Sequence, residues 1–233
     1  MEKVMKIKQL FDPATSTYTY LLWDADSGQA ALIDSVKEQV DRDEKLIREL
    51  GLNLVWLLET HIHADHITGS GDLRRRSQQT AKVAVHSASG SLCADRLLQD
   101  GDEITLGEET IKVLYTPGHT DTDISFLVNG AVFTGDSLLI RGSGRTDFQA
   151  GDAGTSYDSI TGKLFTLDDE TKVYPGHDYQ GRTVSTIAEE KKYNPRIGGG
   201  RSREEYISIM EGLKLAKPAR IEEAVPGNMA CGL

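Results

Sequence analysis

The stretch "LNLVWLLETHIHADHITG", residues 52–69, constrains the fold of this chain more than any other segment. Its first part is a continuous apolar run, which is typical of a strand buried on both faces of a sheet. The polar run that follows places three histidines and one aspartate within six positions, from His61 to His66. We therefore expect a buried strand whose end carries a dense group of metal-binding side chains on a loop.

Strands and helices alternate in the rest of the chain. Segments 18–24 and 30–34 flank a turn and predict a β-hairpin, and Asn129–Gly130 predicts a second hairpin between 124–128 and 131–136. Helices are expected over segments with helical apolar spacing or cap signals, at 38–50, 69–79, 182–194 and 202–213. No internal repeat or linker interrupts residues 1–233, so we expect a single domain. The order of elements favours two sheets packed face to face with helices outside.

Composition narrows the class of protein. The formal net charge of −10 disfavours nucleic acid as a partner and favours a small-molecule substrate. The apolar runs are too short to cross a membrane, and the N-terminus lacks the apolar segment of a secretory signal. Cys93 and Cys231 lie far apart in the sequence, so we expect no disulfide framework and a cytoplasmic location. We interpret Cys93 as an inert thiol and expect the stretch after it to be helical. A soluble organelle matrix stays open.

Five of the six histidines share one position relative to the predicted strands. They lie at or just beyond a strand end, as does one aspartate; these residues are His61, His63, His66, His119, His177 and Asp136. Rigid scaffolds display their reactive groups on such loops. His86 lacks the pattern, and we interpret it as a structural or surface residue.

These residue types indicate a metal centre. His61 and His63 alternate along the chain, so extended backbone would direct both imidazoles to one side, and Asp65 and His66 could reach an adjacent point. Imidazole together with carboxylate suits zinc, iron or manganese, and the lack of nearby cysteine argues against a structural zinc site.

The ordered segments "THIHADH", "PGHT", "FTGD" and "YPGHD" resemble the metal-binding motifs of the metallo-β-lactamase superfamily. The resemblance implies an α/β fold, a four-layered αβ/βα sandwich of two mixed sheets with the metal at one edge. Longer stretches, above all "GRTDF" and "HDYQG", resemble the persulfide dioxygenases, the family of the ethylmalonic encephalopathy protein. This similarity spans nearly the whole chain, including "AVPGNMACGL" at its end.

Membership of that family implies one Fe²⁺ per subunit, held by two histidines and one aspartate that correspond to His61, His119 and Asp136. Such a facial set leaves coordination positions open for substrate and dioxygen. The other four ligand-type residues would form a polar surrounding or a second metal site; they are His63, Asp65, His66 and His177. No catalytic residue beyond the metal centre is predicted.

The implied reaction converts glutathione persulfide, O2 and water to sulfite and glutathione. The outer sulfur supplies every electron that dioxygen needs, which agrees with the absence of a GxGxxG nucleotide motif. Arg145 is a candidate for binding a glutathione carboxylate, with an ion pair to Asp147 as the alternative. Tyr179 is expected to face the metal pocket, whereas Asp178 is expected to support its loop and Ser143 is assigned no chemistry.

A glyoxalase II-type hydroxyacylglutathione hydrolase is the main alternative, because all ligands of a dinuclear site are present. Against it, only 56 residues follow His177 (233 minus 177), fewer than the helical substrate domain of that family usually needs. A non-catalytic metal-binding or sulfide-responsive protein is the alternative from another class. A homodimer and a functional coupling to a rhodanese that supplies the persulfide stay open.

Overall fold

The computed structural model describes residues 5–218 and 220–233, and in this part of the chain twelve strands form two six-stranded sheets. The first sheet contains, in chain order, β1 (Lys6–Asp12), β2 (Thr17–Trp23), β3 (Gln29–Ile33), β4 (Asn53–Leu58), β5 (Lys82–His86) and β6 (Arg96–Leu98). The second sheet contains β7 (Glu103–Leu106), β8 (Glu109–Tyr115), β9 (Ile124–Val128), β10 (Ala131–Gly135), β11 (Lys172–Pro175) and β12 (Ser185–Thr186). Each sheet is thus formed by one half of the described chain.

Both sheets are mixed. In the first sheet, β1, β2 and β3 are antiparallel neighbours, and β3 to β6 run parallel. In the second sheet, only the pair β10–β11 is parallel among the described strands. The two predicted hairpins are confirmed as β2–β3 and β9–β10. Asn129 (φ 47°) and Gly130 (φ 69°) adopt the left-handed conformation that a tight two-residue hairpin turn requires.

Six α-helices occur in the described residues. They are α1 (Val40–Glu49), α2 (Ser70–Arg76), α3 (Ala153–Gly162), α4 (Ile187–Tyr193), α5 (Arg203–Glu211) and α6 (Ile221–Met229). The predicted capping box of α5 is present, because Ser202 and Glu205 each bond to the backbone N–H of the other. None of these helices is long and apolar enough to span a membrane.

Buried apolar side chains form clusters on both faces of both sheets. The cluster between the sheets includes Tyr20 and Phe133. A second cluster packs α1 and α2 against the outer face of the first sheet through residues such as Leu57 and Leu73. The third packs α3, α4 and α5 against the second sheet, with Tyr206 fully buried. The layers therefore follow the order helix, sheet, sheet, helix, which confirms the predicted four-layered sandwich.

The substitution Phe133→Ala is expected to lower the free energy of unfolding by about 3–5 kcal/mol, because it leaves a cavity between the sheets. The Phe133 ring is fully buried and lies 4.9 Å from the Tyr20 ring and 5.2 Å from the Tyr174 ring, centroid to centroid. Urea unfolding measures the change. Phe11→Ala is the control, since 43% of Phe11 is exposed. A loss below about 1 kcal/mol for Phe133→Ala, the range of many surface substitutions, would contradict this packing.

Several elements differ from the sequence prediction. Helix α3 was not predicted, and it begins where the Asp152 carboxylate accepts the Thr155 N–H (2.7 Å). Helix α6 contains Pro226, which disfavours helix in isolation. The stretch after Cys93 is strand β6 rather than helix, since it pairs with β5. The segment 182–194, predicted as a helix, contains strand β12 before α4 begins, since β12 pairs with β11. Tertiary packing outweighs local preference at these places.

Cys93 and Cys231 form a disulfide, so the expectation of a free thiol at Cys93 is wrong. The two residues are separated by 138 positions, but the C-terminal segment returns to the loop before β6. There the Leu92 N–H donates to the Met229 carbonyl (2.9 Å), and the cysteine Cα atoms are 6.1 Å apart. Sequence spacing carries no information about such a distant contact. The two cysteines therefore no longer support the expected cytoplasmic location, where thiols usually stay reduced.

Candidate metal centre

The predicted ligand residues converge on loops that follow four strands. The loop after β4 supplies His61, His63, Asp65 and His66, while the loops after β8, β10 and β11 supply His119, Asp136 and His177. Six of these seven residues were predicted to lie at strand ends and Asp65 to lie beside them, and the structure brings their side chains together.

His61, His119 and Asp136 each direct one ligand atom to a common point. These atoms lie within 4.8 Å of one another, and the distance from His119 Nε2 to Asp136 Oδ2 is 3.7 Å. The other nitrogen of His119, Nδ1, lies 2.7 Å from the Arg145 carbonyl oxygen, to which it donates. That bond leaves Nε2 as the lone-pair nitrogen, the arrangement that metal-binding histidines usually show.

The protonation states of His61 and Asp136 also suit a divalent cation. Burial lowers the pKa of His61 well below its ordinary value, so its imidazole is neutral. Burial alone would raise the pKa of Asp136, but the nearby histidines, first of all His177, outweigh it and hold that pKa far below its usual range. A neutral imidazole and an ionised carboxylate are the forms that bind metal. The three residues therefore fit a metal ion.

His177 lies between two carboxylates. Its Nδ1 is 2.7 Å from Asp136 Oδ1, and its Nε2 is 3.0 Å from Asp65 Oδ2. Burial would lower the pKa of His177, but Asp136 and Asp65 raise it well above the ordinary value. Asp65 Oδ2 also lies 2.9 Å from His66 Nδ1. Asp65, His66 and His177 are thus engaged with one another beside His61, His119 and Asp136.

His63 lies beside His61, with ring centroids 4.1 Å apart, and with Asp65 and His66 it forms a second group of possible ligand atoms within 4.8 Å of one another. Its other nitrogen is near two further carboxylates. Its Nε2 lies 3.2 Å from Asp34 Oδ1 and 3.6 Å from Glu59 Oε2, without the alignment of a hydrogen bond. Burial opposes a charge on His63, yet Asp34 raises its pKa to about 9. His63 is therefore a buried cation between acidic groups. Asp34 directly follows β3, the strand-end position that identified Asp136, so the same sequence signal could have found it.

A cavity of about 450 Å³ opens beside His119 and Asp136. His119, Asp136 and His177 line its inner end. Apolar side chains and segment 215–218 contribute to its wall, including Phe148 and Leu215. This volume lies in the range of pockets that bind small organic molecules.

Arg145 lines this cavity, but its guanidinium is already engaged. It donates to both carboxylate oxygens of Asp147 (2.6 and 2.8 Å) and to the Ala216 carbonyl (2.6 Å). The ion pair weighed as the alternative for Arg145 is therefore present. The residue holds segment 215–216 at the cavity wall.

Arg196 is a cation that the sequence analysis missed. It lines the same cavity, is partly buried, and donates to the Ser143 carbonyl. Among residues 5–218 and 220–233, no carboxylate lies within ion-pair distance of it. Burial lowers its pKa, but a guanidinium remains charged at neutral pH. A guanidinium at a cavity wall that has no carboxylate partner among the described residues is suited to an anionic ligand.

The other residues named from the sequence lie at the cavity, in its loops or outside the centre. Tyr179 lines the cavity, and its ring is nearly parallel to that of His177. Asp178 supports its own loop by accepting two backbone N–H groups and the Arg182 side chain. The hydroxyl of Ser143 bonds to the hydroxyl of another residue, Tyr206 (2.9 Å). His86 lies outside the centre and stacks on Tyr115, with ring centroids 4.2 Å apart.

Residues 12–177 match the model of the metallo-beta-lactamase superfamily. The chain is also 48% identical over 229 residues to the mitochondrial persulfide dioxygenase ETHE1 of Homo sapiens, across 97% of this chain and 89% of that protein. The chain belongs to the persulfide dioxygenase family. This family assignment agrees with the motifs "GRTDF" and "HDYQG" that indicated it.

Other comparisons agree with this assignment. The crystal structure of ETHE1 from Myxococcus xanthus superimposes with a TM-score of 0.94 at 56% identity and covers 98% of this chain and 100% of that one. Glyoxylase B2 of Dictyostelium discoideum is 30% identical over 247 residues, across 90% of this chain and 84% of that protein. Similarity to the glyoxalase type is therefore clearly lower than similarity to the dioxygenases.

Proposed function

We propose that this protein is an iron-dependent persulfide dioxygenase that oxidises glutathione persulfide with O2 and water to sulfite and glutathione. The observation that carries the proposal is the convergence of His61, His119 and Asp136, of which His119 and Asp136 line a cavity of about 450 Å³. Two histidines and one carboxylate form the facial set of non-heme Fe(II) oxygenases. The family of the chain supports the same reaction.

The reaction balances without a further reductant. The outer sulfur of the persulfide loses four electrons on becoming sulfite, and one O2 accepts them. The sulfur–sulfur bond breaks, and glutathione leaves as the thiol. A ferrous ion would supply the activation of dioxygen, which amino-acid side chains cannot provide.

The side chains of this protein would bind and orient the substrate. Arg196 would bind a carboxylate of the glutathione moiety, because it is the cavity cation without an ion-pair partner among the described residues. Arg145 would act indirectly by holding segment 215–216, and Tyr179 would contact substrate at the entrance. Phe148 and Leu215 would exclude water from the inner end of the cavity.

The engaged state of His177 favours one metal over two. Both of its ring nitrogens face carboxylate oxygens, and Asp65 also contacts His66. We propose that His63, Asp65, His66 and His177 orient the metal-binding residues rather than hold a second ion.

Anaerobic purification followed by metal analysis and oxygen-uptake measurements tests the proposal. Near-stoichiometric iron, with oxygen uptake and sulfite formation from glutathione persulfide, is the expected result. Two zinc ions per chain, no oxygen uptake and rapid hydrolysis of a glutathione thioester would instead identify the glyoxalase II-type hydrolase.

We also propose that residues 1–233 act as one domain, because both sheets contribute to the same central core. A homodimer, a rhodanese partner and a cytoplasmic location stay predictions. Size-exclusion chromatography with light scattering measures the first of them.

A further inference from the structure

Asn228, in helix α6, makes three hydrogen bonds to the backbone of the loop after β4, residues 59–69, which we call the histidine loop. Its amide nitrogen donates to the carbonyls of His63 and His66, at 2.9 Å each. Its amide oxygen accepts the Thr68 N–H at 2.8 Å. The side chain is buried, so water cannot replace these bonds.

The histidine loop in turn orients a metal-binding carboxylate. Asp65 lies between the two carbonyl groups that Asn228 holds, and its Oδ2 is 3.0 Å from His177 Nε2. His177 Nδ1 is 2.7 Å from Asp136 Oδ1. The second oxygen of Asp136 points towards His119. Asn228 is therefore connected to Asp136 through its bonds to the backbone on either side of Asp65 and through the hydrogen bonds of Asp65 and His177.

The neighbouring C-terminal residues hold Asn228 in place. The Gly71 N–H donates to the Cys231 carbonyl (2.8 Å), and Lys37 Nζ donates to the Gly232 carbonyl. Gly232 packs so closely on the loop that a Cβ atom there would lie 2.0 Å from the Thr68 carbonyl oxygen. The end of the chain is thus fitted to the loop at several points.

We propose that Asn228 is a positioning residue, which keeps the histidine loop in the conformation that orients Asp136 for metal binding. The inference rests on the proposed assignment of His61, His119 and Asp136 as the metal-binding residues. It requires that loss of the Asn228 amide accelerates metal release even in protein that remains folded.

The rate of metal transfer to a chelator tests this inference. Wild type and Asn228→Ala are loaded anaerobically with Fe²⁺, and separately with Zn²⁺, and mixed with excess chelator at a temperature where both are folded. Release from Asn228→Ala is expected to be about 10–100-fold faster, the size of effect that outer-shell partners of metal ligands usually have. Circular dichroism confirms folding in the same samples.

Asp24→Ala is the matched control. Asp24 is also buried and accepts three backbone N–H groups, from Asp26, Ser27 and Glu108. Asp24 follows β2 at one end, whereas Thr17, which contacts His177, begins the same strand at the other end. Its loss should lower stability but leave metal release within about twofold of wild type, since distant sites are independent.

The outcomes separate the inference from the proposed function. Equal release rates for wild type and Asn228→Ala, or equal acceleration in Asp24→Ala, would overturn the positioning role. If Asn228→Ala does not fold, Asn228→Ser, which keeps a polar group but lacks the amide, is held to the same criterion. Wild type that retains Zn²⁺ but not Fe²⁺ contradicts the iron assignment, and the Zn²⁺ rates then decide the role of Asn228. Wild type that retains neither metal contradicts both.

Discussion

The substitution His119→Ala is expected to abolish iron retention and to reduce kcat/KM by at least about 10³-fold, or about 4 kcal/mol of transition-state stabilisation. His119 would supply one of three protein ligands, and its Nδ1 bond to Arg145 fixes the ring so that Nε2 points at Asp136. Two remaining ligands would hold iron weakly. Metal analysis of the purified variant and oxygen uptake with glutathione persulfide measure both effects.

His86→Ala is the control for this prediction. His86 is also a buried histidine, the last residue of β5, but it stacks on Tyr115 and lies outside the group of proposed metal-binding residues. Its variant should keep iron near the wild-type amount. Retention of wild-type iron by His119→Ala, with unchanged oxygen uptake, would refute the proposed ligand set.

Replacement of Arg196 by leucine is expected to raise KM for glutathione persulfide by roughly 10–100-fold while iron content stays near wild type. A hydrogen bond to a charged group contributes about 1.5–3 kcal/mol, which corresponds to this range. Arg196 is held by the Ser143 carbonyl and retains donors for a ligand. Steady-state kinetics and metal analysis on the same preparation separate loss of substrate binding from loss of metal.

Arg203→Leu is the matched control, because Arg203 is already paired with Asp158 at the surface. Its KM should stay within about twofold of wild type, as surface ion pairs contribute little. If Arg145→Leu raised KM and Arg196→Leu did not, the substrate carboxylate would be bound by Arg145 after displacement of Asp147. The comparison thus decides between the two cavity arginines.

The loop after β4 shows how much of the site could be predicted from sequence. Strand-end position was enough to collect five histidines and Asp136 as candidates, because the strand ends that carry them lie close together in the fold, whereas the set His61, His119 and Asp136 came from the family resemblance. The same reasoning did not separate the members of the group by role. The proposed division of roles rests on the hydrogen bonds made by His177 and Asp65, and such bonds depend on side-chain orientation.

The two cavity arginines show the limit of motif reasoning. Arg145 stands in the family-specific segment "GRTDF" and was the natural candidate for substrate binding. In the structure its charge is neutralised by Asp147, whereas Arg196, in an unremarkable segment, lines the cavity without such a partner among the described residues. Whether a charge is paired depends on neighbours that sequence position does not reveal.

The sequence by itself determined the class of fold, the family and the set of candidate metal-binding residues. Apolar periodicity, turn signals and strand-end histidines are local features, so they can be read without coordinates. Only the tertiary structure decided the pairing of Cys93 with Cys231 and the attachment of Asn228 to the histidine loop. It also decided that Arg196 is the cavity arginine without a carboxylate partner among the described residues. These three features depend on contacts between segments more than 50 residues apart. Arg196 lies 53 residues from its partner Ser143, and Asn228 lies 165 residues from its partner His63. Such contacts follow from the packing of the whole chain and leave no periodic signal in it.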